Sequence, residues 1–496
     1  MVELCYNPDH MCGIVGLIGT PDAAREAFLG LTTLQHRGQD AAGILTYDSS
    51  GFHQVKNIGL VESVFTRENM SGLTGNLAVG HARYSTIGKG DLIDCQPLLL
   101  SYPFGLGMVH NGNIVNCHQL SKELRTQNRR HLLTHSDTEV VLNLFAEGLA
   151  GFPNGIGSSE LNFEHICYSI SEIFKRVNGS YSIVTLVADQ GMVAFRDPFG
   201  IRPLIWGKKT LLNGREAHMV ASESVALSFL GYQVVRDILP GEVLFVDMDG
   251  KVWTKLLQKQ KEAKHCMFEW VYFASPESEI DKTAVYGARI QLGKSLARLI
   301  KKQLVEKNIH ADLIVPIPET SRIAAIALAE ELAIPYREVL IKNRYIKRTF
   351  ILDSQEKRQS AVNLKLSPVR SEIEGKKVIL VDDSIVRGTT SRKIIELVRN
   401  AGASEVYFVS TCPPIRKPCY YGIDFPVESE LIASGRELPT IEKELGADAV
   451  IYQDIEGLRQ SLGNSNQLCM ACLNGAYPTN VASGLQFASA RKVDRQ

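Results

Sequence analysis

Four consecutive apolar residues, Val378, Ile379, Leu380 and Val381, run straight into two carboxylates, Asp382 and Asp383, and then into Ser384, Arg387, Gly388, Thr389 and Thr390. An apolar run with no alternation is what a parallel strand covered on both faces requires. Helical spacing follows at once, with Ile394, Ile395, Leu397 and Val398. Strand, short loop and helix start in that order predict an open α/β sheet with helices packed on it. Unpaired amides and the helix dipole favour an anion at the helix start. The adjacent acids suit sugar hydroxyls or a hydrated Mg²⁺ ion, although a solvated acidic turn would be spelled the same way.

At 496 residues the chain has room for two or three domains, each with its own core. Lysine plus arginine and aspartate plus glutamate both total 54, so no global field points to nucleic acid or to an anionic membrane. A bound anion must be held by a local cluster. No apolar run is long enough to cross a bilayer. Residues 1–11 contain Glu3 and Asp9 and no apolar core, which is not a secretory signal. A cytosolic, cytoplasmic protein is expected. Its ten cysteines are then catalytic, metal-bound or buried rather than disulfide-bonded.

Met11-Cys12-Gly13-Ile14-Val15-Gly16 opens a strand-like run. Removal of residues 1–11 as a leader, or a start at Met11 followed by loss of that methionine, would make Cys12 the N-terminus. One residue would then carry a thiol and an α-amine that titrates near pH ~7.7–8.0 and can serve as its base. A cysteine buried in an ordinary strand is the plainer alternative. Four further blocks weigh against it: Leu34-Gln35-His36-Arg37-Gly38-Gln39-Asp40, His81-Ala82-Arg83-Tyr84-Ser85-Thr86, His110-Asn111-Gly112-Asn113 and Ser136-Asp137-Thr138-Glu139.

In order and spacing these blocks resemble the glutaminase domain of N-terminal-nucleophile amidotransferases. The resemblance implies an α+β N-terminal-nucleophile hydrolase sandwich over residues 12–250, with Cys12 attacking glutamine. Arg37, Arg83, Thr86 and Asp137 would bind that glutamine. Arg83 suits the α-carboxylate bidentately and Asp137 the α-ammonium. Asn111 and Gly112 would form the oxyanion hole. Arg196-Asp197-Pro198-Phe199-Gly200-Ile201-Arg202-Pro203-Leu204 and Leu239-Pro240-Gly241-Glu242 are expected to be tight turns of the scaffold.

Lys255–Lys264 is polar and lysine-rich, a solvated connector. Beyond it a helix carries Leu292, Leu296 and Leu299, and a second buried strand, Leu313-Ile314-Val315, leads through Pro316–Ser321 into a helix from Ile323 to Leu332. Lys342, Arg344 and Arg348 begin a long polar segment of the kind that closes over an anionic substrate. Together with Asp382–Thr390 this resembles the type I phosphoribosyltransferases. An α/β domain of that type over residues 251–475 is implied, with a tail at 476–496. PRPP (phosphoribosyl pyrophosphate) would be held by Asp382, Asp383, Ser384, Arg387, Gly388, Thr389, Thr390, Lys342, Arg344 and Arg348. Magnesium would sit at Thr320, Asp382 and Asp383. The family usually has arginine where Ser275 stands, and a proline-containing stretch where this chain has Leu352-Asp353-Ser354-Gln355.

Cys469-Met470-Ala471-Cys472 places two thiols to share one ion or cluster, and a redox pair would have the same spelling. Cys266 and Cys419 complete a set of four, with Cys412 close enough to compete. A [4Fe–4S] cluster and zinc both accept four thiolates. Cys5, Cys95, Cys117 and Cys167 are read as structural.

Both halves together resemble the glutamine phosphoribosylpyrophosphate amidotransferases, whose cluster-bearing members favour [4Fe–4S]. The resemblance implies glutamine hydrolysis at Cys12, internal passage of ammonia, and attack on C1 of PRPP with Mg²⁺-pyrophosphate leaving. A homotetramer and feedback inhibition by purine nucleotides are implied as well. The alternatives are a regulator that senses PRPP or nucleotides, and an amidotransferase with a different acceptor.

Overall fold

A computed structural model describes residues 11–84, 91–152, 161–306, 310–342, 366–425, 427–463 and 467–484. The first half is a four-layer sandwich. Its first sheet contains β1 (Gly13–Ile18), β2 (Ala41–Asp48), β3 (Gly51–Ile58), β4 (Leu77–Arg83), β9 (Ile205–Thr210), β10 (Glu216–Ala221) and β11 (Gln233–Asp237), in the spatial order β11-β9-β10-β1-β4-β2-β3. The second contains β5 (Leu98–Leu100), β6 (Leu106–Ile114), β7 (Gly179–Val187), β8 (Gly191–Arg196), β12 (Glu242–Asp247) and β13 (Val252–Leu256), ordered β13-β12-β8-β7-β6-β5. Ile14, Val79, Val109, Val184 and Val246 fill the space between the sheets.

Neighbouring residues point the other way, as a pleated strand requires. Val15 and Leu17 meet Ala27 and Leu31 of α1 (Ala23–Thr33). Met108, Ile183 and Phe195 pack with α2 (Asp137–Ala150) and α3 (Phe163–Arg176). The central strands β1, β2, β4, β6, β7, β8 and β12 are therefore buried on two faces, which explains why their sequences run apolar with little alternation, whereas the edge strands β3, β11 and β13 stay partly exposed.

The second half is built on four parallel strands: β15 (Leu313–Pro316), β16 (Lys377–Asp382), β17 (Glu405–Ser410) and β18 (Ala449–Tyr452), adjacent in that order. Leu380 and Val378 of β16 pack with α6 (Thr389–Asn400) and α7 (Leu438–Leu445). Ile379 and Val381 pack with α4 (Val285–Glu306) and α5 (Arg322–Leu332) on the opposite face. The unbroken apolar run of β16 is thus shared between two cores. A short parallel pair, β14 (His265–Cys266) with β19 (Leu468–Cys469), ties the stretch after the sandwich to the far end of the chain. A two-sheet sandwich with outer helices, followed by an open parallel α/β sheet, is the architecture expected from the sequence.

Candidate active site

The start of β1, the end of β4, the middle of β6 and the start of α2 converge on a cavity of about 20 Å³, lined by Cys12, Arg83, Tyr84, Gln96, His110, Gly112, Ser136 and Asp137. That volume holds roughly one water. A larger cavity of about 140 Å³ between α2 and α3 has Glu147 and Arg176 on its wall and none of the groups singled out above.

The Cys12 thiol donates to the Tyr84 carbonyl at 3.7 Å. Burial pushes its pKa up to about 11, against the pull of the Tyr84 contact and of Arg83. Asn111 is fully buried, yet neither atom of its side-chain amide has a hydrogen-bond partner among the described residues. Leaving a buried amide unpaired costs free energy. Gly112 lies beside it at φ 152°, and a Cβ there would fall 2.0 Å from the Ser180 carbonyl oxygen of β7. Only glycine can hold that position.

Asp137 opens α2, just after Ser136, whose hydroxyl accepts from the Thr138 amide at 3.3 Å. Its Oδ2 accepts from the Ile114 amide at 3.0 Å and its Oδ1 lies 3.5 Å from His110 Nδ1. Burial alone would raise its pKa, but His110 and these hydrogen bonds hold it below the usual value. A buried carboxylate that stays charged is suited to a substrate ammonium. Arg83 is buried, with Nη1 3.8 Å from the Cys95 sulfur, so Cys95 belongs to the surroundings of this site. Gln96 accepts from the His110 amide at 2.6 Å and so fixes the strand that carries Asn111.

Arg37 differs from the expectation of a glutamine ligand. Its guanidinium is wholly buried and donates to the Cys12 carbonyl (3.2 Å), to Glu223 Oε1 (2.6 Å) and to Glu269 Oε1 (2.9 Å). Each of its three nitrogens serves the protein, and one of them holds the backbone of Cys12. Glu223, bonded to His36 and Arg37, stays well below the usual carboxylate range despite its burial. Thr86 lies outside the described residues.

At the second centre β16 ends in Asp382, and the Asp383 amide donates to Asp382 Oδ1 at 3.0 Å. Asp383 also accepts from Ser384 Oγ at 2.8 Å and from the Thr320 side chain. The loops after β15 and β16 therefore meet at one carboxyl. Burial pushes its pKa up to about 6, with the Ser384 and Thr320 hydrogen bonds and Arg289 acting against it. Gly388 caps α6 in the left-handed region, and Thr389 and Thr390 stand exposed on the first turn. Arg387 turns aside to Glu430 (3.0 Å) and Asp424 (3.6 Å), and Lys342 lies 3.9 Å from Glu319. Arg344 and Arg348 lie outside the described residues.

Cys266 and Cys469 stand opposite each other in the β14–β19 pair. Burial pushes the Cys266 thiol up to about 11 and the Cys472 thiol well above its usual value; Cys419, Cys412, Cys266 and Cys469 then add to the shift at Cys472. The four expected cysteines thus share one apolar pocket with Cys412, and none is in a disulfide. Among the described residues no three His, Cys, Asp or Glu side chains converge on a position for one metal ion.

A family model described as a glutamine amidotransferase domain matches residues 81–228, and a phosphoribosyl transferase domain model matches residues 288–424. The amidophosphoribosyltransferase of Escherichia coli (strain K12) is 44% identical over 474 residues, covering 95% of this chain and 93% of the relative. The chain belongs to the amidophosphoribosyltransferase family. The amidophosphoribosyltransferase of Methanothermobacter thermautotrophicus is 40% identical over 490 residues, 98% of each chain. Among solved structures, the glutamine PRPP amidotransferase of B. subtilis, complexed with ADP and GMP, superposes with a TM-score of 0.82 at 38% identity, covering 95% of this chain and 98% of that one. As an amidophosphoribosyltransferase the chain transfers the amide nitrogen of glutamine to PRPP, forming 5-phosphoribosylamine in the first step of purine biosynthesis. Among the described residues no helix is long and apolar enough to cross a membrane.

Sequence reasoning passed over Arg202, read as part of a scaffold turn. It is fully buried and bonds both Glu269 (3.3 Å) and the Tyr421 carbonyl (3.0 Å). The available signal was three charged residues, Arg196, Asp197 and Arg202, inside an otherwise apolar stretch.

Proposed function

We propose that Cys12, freed as the N-terminus by removal of residues 1–11, is the nucleophile that hydrolyses glutamine, with Asn111 and Gly112 as the oxyanion hole. The unpartnered amide of fully buried Asn111 carries this reading. Arg83 takes the α-carboxylate and Asp137 the α-ammonium, and Thr86 belongs to the same subsite. Arg37 holds the Cys12 carbonyl in place. While Met11 remains attached, Cys12 has no α-amine, and burial keeps its thiol protonated at neutral pH. Freeing the amine supplies the base, and the thiolate then attacks the carboxamide carbon, which ends in a thioester and ammonia.

On the other side, the β16 loop, Arg387 and the first turn of α6 (Gly388, Thr389, Thr390) hold the ribose phosphate, while Lys342, Arg344 and Arg348 neutralise the diphosphate. Thr320, Asp382 and Asp383 would hold Mg²⁺, which supplies charge neutralisation to the departing pyrophosphate. The fit rests on Asp383, a buried carboxyl at which two loops meet. Cys266, Cys419, Cys469 and Cys472 would hold a [4Fe–4S] cluster, a structural clasp between chain segments. The reading is supported by the four cysteines lying together in one apolar region with none of them in a disulfide. Feedback by purine nucleotides is supported by the ADP and GMP in the B. subtilis relative. A homotetramer in the cytoplasm completes the proposal.

The deciding experiment is Cys12→Ala. Glutamine-dependent formation of phosphoribosylamine should fall by at least ~10³-fold, with synthesis from added ammonia kept. Loss of both together would refute two separate centres, and intact mass retaining residues 1–11 in active protein would refute the nucleophile. Iron and sulfide analysis of anaerobically purified protein should give about four of each per chain; zinc instead would overturn the cluster.

A further inference from the structure

The segment Tyr420–Asp424 belongs to the second half of the chain, yet its backbone is held by the first. The Tyr421 carbonyl accepts from Ser180 Oγ at 2.9 Å, from Arg202 Nε at 3.0 Å and from Arg202 Nη2. The Tyr420 carbonyl accepts from Asn113 Nδ2 at 2.8 Å. Gly422, at φ 101°, packs so closely that a Cβ would lie 3.2 Å from the Gly112 carbonyl oxygen. Asn113 and Gly112 directly follow Asn111 on β6, and Ser180 lies opposite Asn113 on β7.

The same segment reaches the nucleophile by a second route. Arg202 Nη1 donates to Glu269 Oε1, and that oxygen also accepts from Arg37, whose Nε donates to the Cys12 carbonyl. The carboxylate and both guanidiniums are almost fully buried, so water does not loosen the chain of contacts. At its far end the segment carries Asp424, 3.6 Å from Arg387 of the loop after β16.

We infer that Tyr420–Asp424 is a strut that sets the geometry of the glutamine-hydrolysing centre from the phosphoribosyltransferase half, with Asn113 and Arg202 as positioning residues. Asn113 and Gly422 fix the peptide planes beside the oxyanion hole, and Arg202 fixes Cys12 through Glu269 and Arg37. Nucleophile and oxyanion donors come from different sheets, and their separation must hold to a fraction of an ångström, since misplacement by about 1 Å can cost ~10²-fold. The inference rests on the assignment of Asn111 and Gly112 proposed above.

The test compares the full-length variants Asn113→Ala, Arg202→Met and Arg202→Lys with the parent, measuring glutamine hydrolysis, ammonia-dependent amination of PRPP and Tm. Asn113→Ala and Arg202→Met should each lower kcat for glutamine about tenfold or more, with the KM for glutamine and the ammonia-dependent rate within about twofold. Arg202→Lys, which keeps a donor for Tyr421 and a charge for Glu269, should recover most of the loss. Unchanged kcat in Asn113→Ala and Arg202→Met overturns the strut, as does a parallel fall in the ammonia-dependent rate. If Arg202→Met does not fold, Asn113→Ala, which removes no charge, decides alone. Asn111→Ala separates the two readings: full activity there fails the oxyanion assignment and leaves the strut without its object, whereas loss there with unchanged Asn113→Ala fails the strut only.

Discussion

The two centres are built in opposite ways. Cys12, Arg83, Gly112 and Asp137 line one cavity inside the protein, where antiparallel strands and a helix start position each residue. Asp382–Thr390 lies at the carboxyl end of a parallel sheet, with Thr389, Thr390 and Lys342 exposed. The contrast matches the ligands proposed for the two centres. Glutamine is small and its reaction develops an oxyanion, so preorganised donors in a dry site serve it best. PRPP is a large polyanion, and cations on surface loops can gather around it.

The contrast can be broken at its interior end first. Glu223 is fully buried between His36 and Arg37 and accepts from Ser275 and Ser278. Glu223→Ala should destabilise the protein by ~3–5 kcal/mol in denaturant unfolding, because Arg37 loses a buried partner. A change below ~1 kcal/mol would mean that the network is solvated. Next, Asn111→Ala should lower kcat for glutamine hydrolysis by ~10²–10³ with little change in KM. A rise in KM alone would make Asn111 a ground-state contact.

The smallest effect sharpens the other end of the comparison. Asp383 has a folded pKa of about 6, above the usual aspartate value because of burial. At the Mg²⁺ site proposed above, the ionised form is the one that would hold the metal, so affinity for Mg²⁺-PRPP should weaken by up to ~tenfold per pH unit below about 6. Asp383→Asn should bind weakly at all pH values and lose that slope. Without ligand the sign reverses: the unfolded chain releases this proton first, so the group makes stability fall as pH rises from about 4 to about 6. A titration by chemical denaturation in the absence of Mg²⁺ reads that directly.

What the sequence made legible follows the same division. Val378–Thr390 carries strand, loop and helix start in one local stretch, and the structure follows it residue for residue. The fragments around Asn111 and Asp137 were singled out by a family resemblance in order and spacing, and the structure brings Gly112 and Asp137 to the cavity that Cys12 lines. Arg37 was misplaced because its true partners, Glu223 and Glu269, lie 186 and 232 positions away. Arg202 and Tyr421 are 219 apart. Local periodicity contains nothing about such pairs; only the folded topology brings them together.

The short pairing of His265–Cys266 with Leu468–Cys469 has a consequence in time. A ribosome adds roughly 5–20 residues per second, so about 200 residues of synthesis separate the two strands, some 10–40 s. During that interval the sandwich can already be formed, while the residues that follow it lack the strand they pair with. The cluster proposed for these cysteines can be completed only after Cys469 and Cys472 have emerged, which makes that late stretch of the polypeptide the gatekeeper of its assembly.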